Sequence, residues 1–187
     1  MGKQDYLTDQ LLIAMPTLAD PNFTQTVTYI CEHNERGAMG IVLNRPMEIS
    51  LGDMLQQLDL EPSDPSIGNQ QIFSGGPVLP ERGFVLHRPV GNWDSTLAVT
   101  DAIAVTTSRD ILEAIANGRG PKDAFIALGY AGWGAGQLEA EITENAWLSC
   151  QADARIIFEY PFAQRWVEAA KLMGVDPHLI SGDAGHA

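Results

Sequence analysis

Thr24-Gln25-Thr26-Val27-Thr28-Tyr29-Ile30-Cys31-Glu32-His33, then Asn34-Glu35-Arg36-Gly37, then Ala38-Met39-Gly40-Ile41-Val42-Leu43-Asn44, is the stretch that decides the fold. Two alternating, β-branched runs flank four turn-forming residues, a pattern that predicts a β-hairpin. A hairpin demands antiparallel pairing, which argues against a doubly wound parallel sheet and for a mixed α+β domain. With residues 34–37 as the loop, His33 is expected opposite Ala38, Cys31 opposite Gly40, Tyr29 opposite Val42 and Val27 opposite Asn44. That register sends Cys31, His33 and Asn44 to one face, with Arg45 beside them.

Outward from the hairpin, residues 11–15 form an apolar run stopped by Pro16, suited to a buried strand, and Asp20-Pro21-Asn22-Phe23 reads as a turn. Ser50 and Asp53 resemble a capping box ahead of the helical stripe Leu51, Met54, Leu55 and Leu58; residues 61–69 then read as a surface loop. Residues 71–74 and 84–87 are predicted strands around the glycine- and proline-rich segment 75–83, and residues 97–106 supply one or two more. A helix is expected over 107–117, with Thr107 and Asp110 as its capping pair and Gly118 as its stop. The strand at 125–128 runs into a turn holding Gly129, Gly132, Gly134 and Gly136, then a helix over 137–145. Residues 147–150 and 155–159 are predicted strands, and Pro161 opens a last helix burying Trp166, Val167, Ala170 and Met173 before a mobile tail from Ser181.

The chain has 187 residues, near the usual size of one domain and enough for a core without metals or disulfides, so residues 1–187 are read as a single domain. Its formal charge is −13, which repels phosphodiester backbones and anionic lipid alike, and its Lys and Arg residues form no basic run. No direct nucleic-acid partner and no membrane partner are expected. The first residues carry no export signal or spanning segment, and Cys31 and Cys150 are read as free thiols, which together imply a cytoplasmic protein.

Several segments together resemble the bacterial AlgH/YqgE-type family: Leu12-Ile13-Ala14-Met15-Pro16, Cys31-Glu32-His33-Asn34, Gly37-Ala38-Met39-Gly40 and Leu43-Asn44-Arg45-Pro46. Gly75-Gly76-Pro77-Val78, Gly83-Phe84-Val85-Leu86-His87, Thr107-Ser108-Arg109-Asp110-Ile111-Leu112, Gly129-Tyr130-Ala131-Gly132-Trp133-Gly134-Ala135-Gly136-Gln137-Leu138 and Gly185-His186-Ala187 extend the likeness over nearly the whole chain. The resemblance implies a cytosolic bacterial protein whose mixed, strongly bent sheet forms a barrel-like core flanked by helices. It also implies a family described as transcriptional regulators, mainly through a genetic link to alginate production, without agreed catalytic residues.

The candidate ligand site gathers Cys31, His33, Asn44, Arg45 and His87: imidazole can serve as general base, and a guanidinium offers a planar fork for carboxylate or phosphate. Against this stands the plainer reading of Cys31 as a small buried hydrophobe and of the histidines as partners of backbone groups. The glycine turn fits neither G-x-G-x-x-G nor a P-loop and carries Glu139, Glu141 and Glu144, so its glycines are read as letting Tyr130 and Trp133 approach neighbouring backbone. No CxxC or HxxxH pair suggests a metal, and Ser74 lacks the G-x-S-x-G elbow, so neither metal nor cofactor is expected. The resulting expectation is a regulatory or adaptor protein binding a small ligand or a protein partner and affecting transcription indirectly. The alternative is a hydrolase-type enzyme using His33 and His87 as acid–base groups with Arg45 holding an anion, and direct DNA binding ranks last.

Overall fold

The computed structural model describes residues 6–15, 23 and 25–176, so the predicted turn at 20–23 lies largely, and the closing motif Gly185-His186-Ala187 and the tail from Ser181 wholly, outside the described residues. Among the described residues, ten strands form one sheet: β1 (Gln10–Ala14), β2 (Val27–Asn34), β3 (Gly37–Val42), β4 (Pro46–Ser50), β5 (Gln71–Ser74), β6 (Val78–Arg88), β7 (Thr96–Ala98), β8 (Ala104–Thr106), β9 (Asp123–Gly134) and β10 (Trp147–Gln151). Their main path runs β10-β1-β2-β3-β9-β6-β8-β7, antiparallel throughout, while β5 pairs β4 antiparallel and β9 parallel. The result is a mixed α+β fold in which a strongly curled, half-barrel sheet is flanked, among the described residues, by six helices. These are α1 (Leu51–Gln57), α2 (Pro65–Gly68), α3 (Arg109–Ala116), α4 (Gln137–Thr143), α5 (Ala154–Phe158) and α6 (Phe162–Leu172).

Strand periodicity divides the core. Leu11 and Ile13 of β1, Val27, Tyr29 and Cys31 of β2, Phe84 and Leu86 of β6, and Phe125 and Ala127 of β9 share one cluster, closed by Ile156 and Ile157 of α5 and Ala169 and Ala170 of α6. Their sequence neighbours point the other way. Val85 and Ile126 meet α1 and α3, whereas Leu12, Ala14 and Ile30 meet Leu138 of α4 together with Trp133 and Trp147.

The 12-residue β9 organises the sheet, because β6 lies along one edge while β5 and then β3 occupy the other. The chain must therefore cross β9 between β5 and β6. It does so at Gly75-Gly76-Pro77, where Gly76 has a φ of +151° and a Cβ placed on it would overlap the Tyr130 carbonyl. Gly129, directly beneath with φ +80°, has no room for a Cβ against the Gly76 carbonyl either.

Several local expectations meet the structure directly. The capping box at α1 is present, with the Ser50 side chain accepting from the Asp53 N–H and the Asp53 carboxylate accepting from the Ser50 N–H at 2.9 Å. Other expectations need correction. The glycines at 132 and 134 belong to β9 rather than to a turn, because they pair with Met39 and Gly37. Residues 155–159 are not a strand: Asp153 accepts from the Arg155 N–H and starts α5, which turns both Ile156 and Ile157 into the core. The N-cap of α3 is Ser108, not Thr107, and the Asp110 carboxylate is bonded by the Ser108 hydroxyl and the Ile111 N–H. The surface segment 61–69 contains the short helix α2, started by Asp64.

Candidate functional site

The hairpin closes where the sequence places it, with His33 opposite Ala38 and Asn34 opposite Gly37. A β-bulge at Cys31 then shifts the register, so that Tyr29 pairs Ile41 rather than Val42 and Thr28 pairs Val42. One extra residue on a strand reverses which face the following side chains take. Cys31 therefore joins the core cluster of Tyr29 and Ile41, while His33 closes against α4 on the other side. The expected shared face of Cys31 and His33 does not form.

Each of the five sequence candidates has a structural occupation. Cys31 is buried, its thiol 3.8 Å from the Tyr29 carbonyl, and burial, followed by the charges of Glu32 and Asp9, pushes its pKa well above the usual thiol range. Such a thiol is a poor nucleophile at neutral pH. His33 accepts the Leu7 N–H on Nδ1 at 2.9 Å, which leaves Nε2 as the donor to Glu139 at 2.8 Å. That hydrogen bond holds the Glu139 carboxyl below its ordinary range. Asn44 ties the hairpin base, accepting from the Val27 N–H and donating to the Gln25 carbonyl, both at 2.9 Å. Arg45 is half-buried beside it, and its carbonyl accepts from the Ser74 N–H.

His87 lies on β6, three strand steps from β2 and so roughly 14 Å along the sheet at about 4.8 Å per step. Fully buried, its Nδ1 donates to the Pro89 carbonyl at 3.0 Å and its Nε2 accepts from the Thr106 hydroxyl at 2.7 Å. Burial lowers its pKa from the ordinary imidazole value. The sign follows from linkage: the unfolded chain takes up a proton at about pH 6.5 while the folded one resists, so stability is lost as the pH falls through that value toward the folded pKa. His87→Gln is expected to reduce the drop in melting temperature between about pH 7 and about pH 5, measured by circular dichroism. An unchanged drop would mean that other groups carry the acid sensitivity.

A different place is open. Opposite Gly129 alone, four residues of β6, Leu79-Pro80-Glu81-Arg82, loop out between the pairs Val78–Tyr130 and Gly83–Leu128. Leu79 is held at φ +47° and is 51% exposed, a conformation that costs a bulky L-residue about 1–2 kcal/mol and calls for a reason. Between this loop and the hairpin tip runs a groove of about 710 Å³, with Arg36 and Asn34 on one bank, Arg82 and Leu79 on the other, and Met39, Phe84 and Tyr130 among its lining. It opens on the face of the first core cluster, to which Phe84 belongs and against which Met39 and Tyr130 pack. Gly132 keeps the floor low, since a Cβ there would come within 3.3 Å of the Tyr130 ring.

Among the described residues, neither Arg36 nor Arg82 forms an ion pair, although Arg88, Arg109 and Arg155 each do. Arg82 extends to the Thr107 hydroxyl at 3.4 Å, and the Arg36 backbone is set by the Asn34 side chain, which accepts its N–H at 2.8 Å. In the cluster around α4, Glu141 accepts from both indoles, Trp133 at 3.1 Å and Trp147 at 2.9 Å. Arg36 and Arg82 are not among the residues that the sequence marks as site candidates. The available signal was a cation in a hairpin turn and another in the glycine- and proline-rich segment. Among the described residues, no three His, Cys, Asp or Glu side chains converge as a metal site, and no helix is long and apolar enough to cross a membrane.

The AlgH-like family profile matches residues 11–178. A UPF0301 protein of Thioalkalivibrio sulfidiphilus is 59% identical over the full length of both chains, and one of Nitrosococcus oceani is 54% identical over 97% of each. Among solved structures, the AlgH protein from Pseudomonas aeruginosa is 49% identical and superposes with a TM-score of 0.82, covering 100% of this chain and 99% of that one. A protein from Corynebacterium diphtheriae, 17% identical, has a TM-score of 0.72 over 92% of this chain and 90% of its own, a likeness of fold alone. By the extent of the profile match and the identity across whole chains, this protein belongs to the AlgH-like family.

Proposed function

We propose that this chain is a cytoplasmic regulatory or adaptor protein that acts by taking a small ligand, or a segment of a protein partner, into the groove between the hairpin and the β6 loop. The observation that carries this reading is the contrast between two kinds of polar group. The imidazoles of His33 and His87 have both ring nitrogens committed to the fold, whereas Arg36 and Arg82 face a groove without a carboxylate partner among the described residues. Pockets of this size, apolar below with a few polar groups at the rim, are the usual form of ligand sites. An acid–base enzyme built on the two histidines finds them in separate parts of the sheet. A net charge of −13 opposes direct contact with DNA, so an effect on transcription would be indirect. Two free thiols suit a reducing cytoplasm.

The test is a thermal-shift screen of small metabolites, together with affinity capture on purified protein, run in parallel on wild type, Gly132→Val and Arg82→Gln. Valine suits a strand and fills the groove floor, while Arg82 is exposed and its loss leaves the core intact. Compounds or partners that bind wild type and lose at least about tenfold in affinity with both variants support the reading. Binders indifferent to both variants would place the functional surface elsewhere.

A further inference from the structure

The groove does not end at its cationic rim. A second concavity of about 340 Å³, lined by Ser95, Thr96, Leu97 and Val105, shares Met39, Phe84 and Thr107 with it. The two form one trough, with Arg36 and Arg82 on opposite banks of its larger part and an uncharged, mainly aliphatic and aromatic lining in the smaller. This asymmetry stands out in a chain with 24 carboxylates and 11 Lys and Arg side chains, where the common surface group is an acid. Glu32 is a carboxylate on the trough wall, and its nearest polar contact is the Asn34 amide at 3.4 Å rather than either arginine.

Three features point to an occupant. The strained, exposed Leu79 stands on the rim loop that also carries Arg82, so the backbone holds an apolar and a cationic side chain at the same mouth. Arg36 is exposed on a turn braced by Asn34, which presents a planar fork suited to a carboxylate. The lining beyond Phe84 offers Leu97 and Val105 and no charged group. We propose that the trough binds an amphipathic monoanion, a carboxylate head between Arg36 and Arg82 and a single unbranched alkyl tail along Met39, Phe84, Leu97 and Val105. This rests on the groove being the functional site and names the chemistry of its ligand. A bilayer is not the intended source, because the acidic surface repels anionic headgroups.

The experiment is calorimetric titration of the full chain with decanoate below its micellar range, beside decanol and acetate as half-ligands, with backbone amide spectra recorded on the same samples. Decanoate is expected to bind wild type and to shift amides at residues 34–39, 79–84 and 105–107. Arg36→Gln and Arg82→Gln, both exposed positions, should each weaken it at least fivefold, and added salt should weaken it further. Acetate and decanol should each bind at least tenfold more weakly than decanoate. Decanoate binding the double variant as well as wild type, decanol or acetate matching it, or no decanoate binding at millimolar concentration would each overturn the proposal. In that last case, metabolites that still bind in a Gly132→Val-sensitive way would leave the groove reading standing and remove only the amphipathic anion.

Discussion

Gly76→Ala is expected to destabilise the protein by at least about 3 kcal/mol, a large fraction of the roughly 5–15 kcal/mol that holds an ordinary domain folded. Gly76 sits where the β5–β6 connection passes over the β9 backbone. Its φ of +151° is one that L side chains rarely adopt, and an added Cβ would overlap the carbonyl carbon and oxygen of Tyr130 and the amide of Ala131. These are backbone atoms held in pairing on both edges of β9, so they cannot swing aside as a side-chain tip would. Relief requires lifting the crossing, which breaks the bond from the Gly75 N–H to the Leu128 carbonyl and the one from the Val42 N–H to the Gly75 carbonyl. Urea denaturation of the purified variant, or its failure to accumulate folded, checks the expectation. Wild-type stability would show that the crossing is looser than its geometry indicates.

Arg165→Ala is expected to cost about 3 kcal/mol through unpaired acceptors and lost packing. The side chain is buried on α6, where Nε donates to the Tyr160 carbonyl at 3.0 Å and Nη1 to the Leu43 carbonyl at 2.6 Å. Its guanidinium lies 5.2 Å from the centroids of both Phe73 and Phe125, which stack on each other at 4.6 Å. Among the described residues no carboxylate pairs with it. Burial pushes its pKa down to about 10, so it stays charged at neutral pH and is held by carbonyl dipoles and ring faces. Truncation strands two carbonyls, one of them just past the end of β3 and the other opening the turn into α6. Arg165→Lys should recover little, because a single ammonium cannot reproduce a fork that reaches two separated acceptors and lies flat on the rings. Equilibrium denaturation of both variants decides this, and full rescue by lysine would show that charge alone suffices.

The hairpin, the capping box at Ser50 and the strands at 71–74 and 84–87 were legible because each is a local pattern: alternation, a polar cap, a glycine stop. What the sequence hid was long-range. The bulge at Cys31 arises because Cys31 packs with Tyr29 in the core while His33 reaches Glu139 on α4, a choice set by a helix more than a hundred residues away. A strict period of two cannot register that choice, and it separated the residues expected to form a site. Residues 155–159 misled for a different reason: a helix of 5 residues is too short to display its period, and two adjacent isoleucines look like strand. The groove was invisible because 79–82 becomes a protruding loop only against Gly129, its partner across the sheet.

The groove also differs from the histidine and asparagine positions in how its polar groups are used. The fold takes up several polar groups outside it: His87 in a chain through Thr106 to Thr96, Glu141 between two indoles, Asn44 at the hairpin base. The most direct test of the claim that the open arginines mark the functional surface is protein-observed NMR, with amide shifts mapped while a mixed metabolite library is titrated into the full chain. Perturbations concentrated at residues 32–39, 78–84 and 130–133 are the predicted result. Perturbations confined to the surroundings of Asn44, Arg45 or His87, with the groove silent, would contradict it.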